Sequence, residues 1–164
     1  MVHQAPPKRR FSQDGGFTLL EILTALVVLG ILASFAAPSL AGQIARFKTQ
    51  AVLNSLAGNL SYARMSAVRA GHSAEVRFTW NADKSCVTTY DIVELTSPER
   101  AIKKVAVSDE TRGVCLGMNN ANNRLMFNSR GLPRTVAARS FFAAHGAARD
   151  SMRLSQAGRL LRFP

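Results

Sequence analysis

What most constrains the fold of this 164-residue chain is an uncharged, largely apolar run from Ile22 to Ala45, entered through a lone carboxylate at Glu21. About 20 apolar residues in a helix cross the roughly 30 Å of a bilayer's hydrocarbon core, so the run is long enough to span. A carboxylate near the start of such a segment costs about 3 kcal/mol on insertion scales, so Glu21 needs a partner. Cutting the chain after Gly16 would create one, because the freed α-amino group of Phe17 in a neighbouring copy would sit as a cation at the same depth. On this reading Glu21 is a subunit-assembly residue.

An ordinary secretory signal has an apolar stretch of about 7–15 residues with its cleavage site behind it. Here the run is longer and the candidate site lies in front. A plain single-pass anchor fits the length but has no use for Glu21. Lys8-Arg9-Arg10, then Gly16-Phe17-Thr18-Leu19-Leu20-Glu21 and the apolar run, resembles the class III leader and helix start of type IV pilins and type II secretion pseudopilins. The resemblance implies that an inner-membrane prepilin peptidase cuts between Gly16 and Phe17 and methylates the new Phe17 amine. It also implies other pilin or pseudopilin subunits as partners. The three leader cations stay on the cytoplasmic side by the positive-inside rule, so a single pass through the inner membrane places the head in the periplasm.

The chain accordingly divides into a cleaved leader (1–16), a membrane-spanning or filament-core half-helix (17–45), an amphipathic half-helix (46–71) and a β head (72–164). Pro38 is expected to bend or locally melt the helix. Leu53, Leu56, Leu60, Ala63 and Ala67, spaced three and four apart, predict the face that packs on the head. Gly71 is expected to cap the helix after Ala70, with Arg69 complementing the dipole. Beyond it the period becomes two: Ala74, Val76, Phe78 and Trp80 alternate with Glu75, Arg77 and Thr79. Further strands are expected at Cys86–Leu95, Ile102–Val107, Val114–Met118, Arg124–Asn128, Arg134–Ala138 and Ser140–Ala144. A long helix followed by strands predicts an α+β fold, the helix laid on antiparallel sheet.

The last segment predicts a hairpin. Ser151–Gln156 and Arg159–Phe163 flank Ala157-Gly158, and a two-residue turn there pairs Leu154 with Leu161, Met152 with Phe163, and Arg153 with Arg162. Facing arginines repel, and a bound anion would relieve them. Net charge is +11, and removing the leader leaves 18 basic against 9 acidic side chains, +9. From Arg112 onward there are nine arginines, no lysine and one acid, Asp150. Guanidinium suits forked hydrogen bonds to phosphate, so Arg149, Arg153, Arg159 and Arg162 are the candidates for contact with DNA or another polyanion; a solvated basic face is the plainer reading.

Phe127-Asn128-Ser129-Arg130-Gly131 and a basic strand after a final Gly-Arg resemble the head of GspH/FimT-type minor pilins and pseudopilins. The resemblance implies DNA binding through a C-terminal Gly-Arg-x-Arg element, as in some FimT-type members, or a place in the secretion piston, as for GspH-type members. This chain has Gly158-Arg159-Leu160-Leu161-Arg162, one residue longer. Residues three apart on a strand point to opposite faces, so Arg159 and Arg162 need not form one patch. Pilus subunit, secretion pseudopilin and stand-alone membrane-anchored polyanion binder therefore all remain open.

Cys86 and Cys115 both fall outside the cytoplasm on this topology. An oxidising periplasm permits a bridge, and two buried free thiols are the alternative. His72 and His145 are isolated, with no metal-ligand spacing around them, and His145 beside Gly146 is most simply a loop residue. There is no nucleophile elbow and no phosphate-cradling glycine loop, so neither an enzyme nor a cofactor or small-molecule substrate is expected. Glu75, Asp83, Asp91 and Glu94 read as solvated strand-edge acids.

Overall fold

In the computed structural model, residues 16–119, 123–134 and 138–163 are described, the side chains of 35–38, 110 and 163 excepted. The chain forms two compact units, the first ending at Ser39 and the second running Leu40–Pro164. The helix α1, Leu19–Ala70, contributes to both.

In the first unit α1 is apolar on all sides, with Leu19, Leu23, Leu26, Val27 and Leu29 among its exposed side chains. Such a surface is satisfied by lipid or by packing against other helices. No single helix among the described residues is long and apolar enough to cross a membrane, whereas Leu19–Ser34 and Ser39–Ala70 qualify as a pair by length and composition. Pro38 lies in the interval between them.

In the second unit the helix becomes one-sided. Val52, Leu53, Leu56, Leu60, Ala63 and Ala67 are all buried, at the spacing the sequence predicts. Gly71, at φ 68°, ends the helix in the left-handed conformation that glycine adopts without steric cost.

Eight antiparallel strands follow among the described residues: β1 Ala74–Trp80, β2 Val87–Glu94, β3 Arg100–Ala106, β4 Cys115–Met118, β5 Arg124–Phe127, β6 Arg139–His145, β7 Ala148–Leu154 and β8 Leu160–Phe163. A one-turn helix α2, Val107–Glu110, separates β3 from β4. The order is β5-β1-β2-β4-β6-β7-β8, with β3 also on β2. One edge of β2 is therefore shared: β3 takes Thr89 to Glu94, and β4 joins only through Val87↔Leu116. The sheet is thus two halves meeting at one residue pair. Side chains of α1, among them Leu56 and Leu60, join a single core with Phe78, Tyr90 and Ile92 of one half and Leu116, Phe141 and Met152 of the other.

Three expectations are corrected. The β7–β8 hairpin is not joined by a two-residue turn. Gly158 N–H donates to Ser155 O and Ser155 N–H to Arg159 O, both at 2.9 Å, and Gly158 sits at φ 74°. That is a three-residue loop whose last position needs the left-handed conformation. The register slips by one residue, so Leu154 pairs with Leu160, Arg153 with Leu161 and Met152 with Arg162. Arg153 and Arg162 therefore do not face each other, and the repulsion argument falls.

His145 closes β6 instead of lying in a loop, with Nδ1 2.7 Å from Gly113 O. Glu75 is 2% exposed, not solvated, because β1 lies between β2 and β5 and Glu75 is flanked in register by Val93 and Met126. As for the expected strand Arg134–Ala138, Pro133 makes a bridge to Phe127 and Arg134 N–H donates to Met126 O at 2.8 Å. Residues 135–137 lie outside the described residues.

Candidate functional site

At the N-terminus Gly16 and Phe17 precede the helix, and Phe17 is 80% exposed. Thr18 Oγ1 accepts from Glu21 N–H at 3.2 Å, which satisfies one of the helix's orphan donors. Thr18-x-x-Glu21 is the spacing of a capping box, a local role for Glu21 that its sequence context carries as plainly as the assembly role. A carboxylate in the first turn also complements the helix dipole. The side chain is exposed, as the assembly role requires.

The four candidate arginines separate into three environments. On β7, Arg149, Ser151 and Arg153 alternate with Asp150, Met152 and Leu154, and the burial follows: both arginines are exposed while the other three are buried. Arg149 and Arg153 thus share the outer face, about 13 Å apart along the strand. Phe142, 42% exposed, stands opposite Ser151 between them, on the neighbouring strand. Its ring covers Gly117, where an added Cβ would come within 2.2 Å of it. The outer face of this half-sheet therefore carries two guanidinium groups with an aromatic ring between, the combination that tracks a phosphate backbone while offering a base somewhere to stack.

Arg159 closes the hairpin loop opposite Ser155, its N–H donating to Ser155 Oγ at 3.0 Å. Arg162 turns the other way. It pairs with Asp150 and donates to Asn54 Oδ1 of α1 at 3.0 Å, so its guanidinium clamps β8 to β7 and to the helix. The slipped register is the cause, because it puts Arg162 beside Met152 on the helix-facing side.

The segment 12–37 matches the prokaryotic N-terminal methylation motif. No curated protein sequence matches the chain. Among solved structures it is similar to the type IV minor pilin FimU of Pseudomonas aeruginosa, at TM-score 0.59 and 23% identity, over 73% of this chain and 90% of that one. It is also similar to the minor pseudopilin EpsH from the Type 2 Secretion System of Vibrio cholerae, at TM-score 0.55 and 12% identity, over 71% of this chain and 96% of that one. The fold is that of type IV minor pilins and pseudopilins.

In this pilin-type head the bridge that the sequence permits is present, and a charge cluster that sequence reasoning missed lies away from it. Cys86 and Cys115 are bridged, immediately beside Val87↔Leu116, so the disulfide staples the head where its half-sheets meet through one pair. On the opposite half-sheet Glu75 binds Arg77 Nε at 2.6 Å and lies 3.6 Å from Arg124, and Arg77 reaches Glu99 at 3.0 Å. Glu99 first, then Glu75, hold the Arg77 guanidinium well above the usual arginine range, and Arg77 in turn holds Glu99 below the usual carboxylate range. These four charges neutralise one another. The period-two pattern of β1 placed Glu75 and Arg77 together; nothing in the sequence set Arg124 and Glu99 beside them.

Proposed function

We propose that the chain is a minor subunit of a type IV filament machine of the GspH/FimT kind. Prepilin peptidase cuts between Gly16 and Phe17 and methylates Phe17, and 17–45 holds the subunit in the inner membrane with its head in the periplasm. The subunit then enters a pilus or pseudopilus, where Glu21 meets the Phe17 amine of a neighbour. The reading is carried by the coincidence of a methylation motif over 12–37 with a helix-plus-antiparallel-sheet head like those of FimU and EpsH. Intact and peptide mass spectrometry of membrane-extracted protein tests it. The expected product begins at N-methylated Phe17, and retention of Met1 would overturn the reading.

A second function rides on the first. The shared face of Arg149 and Arg153, with Phe142 between them, supports contact with a nucleic acid backbone. Arg162 supports it less, being committed to Asp150 and Asn54. A subunit serving only protein secretion has no need of that face, so its affinity for DNA separates the two branches.

A further inference from the structure

A groove of about 410 Å³ opens between the start of the amphipathic half of α1 and the β7–β8 edge, lined in part by Arg46, Gln50, Arg149, Asp150 and Arg162. Asp150, its acid, is already paired with Arg162. Among the described residues no ion pair engages Arg46 or Arg149, and both are exposed. Arg46 and Arg149, the latter at the rim where the outer face of β7 meets the groove, therefore give it a surplus of two positive charges, a setting for a phosphate oxygen.

A second groove of about 380 Å³ adjoins the first and shares Arg46 and the turn residues Ala147 and Ala148 with it. Its helix side is Ala41, Gly42 and Ala45, small and uncharged, from the end of the apolar run. Arg46 is the first cation after Glu21 along the chain. Cationic and apolar grooves thus meet at Arg46, and Ala41 lies about 7 Å along the helix axis on its apolar side.

We infer that these joined grooves hold an anionic phospholipid, its phosphate against Arg46 and Arg149 and the start of an acyl chain along Ala41, Gly42 and Ala45. The inference rests on the reading that the apolar run lies in a membrane, which puts Arg46 at headgroup level. A polar anion alone would have no use for the second groove. A cation near an anionic membrane surface attracts it by about fivefold in affinity, so each arginine has a measurable share.

The test uses the full chain in a neutral detergent, with native mass spectrometry counting lipid retained from phosphatidylglycerol or phosphatidylcholine. Phosphatidylglycerol should be retained in preference. Arg46→Gln should lower that preference by about fivefold, and Arg46→Gln with Arg149→Gln should abolish it. Arg112→Gln removes the same charge from an exposed site elsewhere and should change nothing. Equal retention of the two lipids, or an equal loss with Arg112→Gln, would overturn the inference. So would displacement of the lipid by millimolar inorganic phosphate, which marks a small-anion site, or by an equimolar duplex oligonucleotide, which assigns the groove to nucleic acid. Carbonate washing of membranes separates the two levels: a chain that washes off sinks the membrane reading, whereas a retained chain without lipid preference sinks this inference alone.

Discussion

Arg162 and Asp150 form an ion pair across the β7–β8 hairpin in which the acid is buried and the arginine also donates to Asn54 of α1. Arg162 is thus a structural tie between the C-terminal strand and the helix. Asp150 keeps one other donor, Ser151 N–H at 2.7 Å, when Arg162 is removed.

Arg162→Ala is expected to destabilise the head by about 1–2 kcal/mol, in the lower part of the range for orphaning a buried acceptor because the arginine is itself more than a third exposed. Adding Asp150→Ala should restore part of the loss, since no buried charge is then left unpaired. Urea unfolding of the full chain in neutral detergent reads both values. A single variant with unchanged stability would return Arg162 to the set of free surface cations.

For nucleic acid, Arg149→Ala with Arg153→Ala should weaken binding to duplex DNA and reduce the salt slope by about 1.8, at about 0.9 per phosphate contact. Arg162→Ala should leave the slope alone. Gel shifts of the full chain at several salt concentrations distinguish the pairs, and a slope unmoved by the double variant removes DNA from the function.

The assembly role proposed for Glu21 and a local capping role separate by substitution. Glutamine is accepted in a capping box but carries no charge, so Glu21→Gln should insert, be processed and form its helix, yet be poorly incorporated into filaments. Incorporation is measured as the variant's abundance in co-purified filaments. Normal abundance would leave the carboxylate with the local role alone.

Replacing Cys86 and Cys115 by alanine together should cost about 3–4 kcal/mol, the chain-entropy value for a loop closed over a separation of 29 residues. The first amides to lose hydrogen-exchange protection should be those of β4, because among the described residues its strand pairing to β2 is the single pair Val87↔Leu116. Loss that begins instead in β1 and β5 would show that the core, and not the bridge, holds the halves together.

The sequence carried the helix well. Leu53, Leu56, Leu60, Ala63 and Ala67 are spaced for one buried face, and Gly71 ends the helix because few other residues accept its backbone angle. Alternation placed β1 for the same local reason. What alternation leaves out is whether the outward face stays open, and Glu75 is buried by Val93 and Met126, whose registers are set by distant segments. The final hairpin failed on one position: Ala157-Gly158 reads as a two-residue turn, but the glycine's left-handed angle takes the last place of a three-residue loop. That single slip moved Arg162 from the presumed binding face to the helix side. Ala148, Arg149 and Asp150 lack the branched and aromatic side chains that mark strands, so the start of β7 depends on pairing with β6. Thr18 and Glu21, by contrast, had the capping spacing in plain view.

The handover on β2, where β3 gives way to β4 at Val87, has a mechanical meaning. In the filament proposed above, a load borne by α1 would be divided between two short β blocks seated on a shared helical keel, with a covalent rivet at their seam.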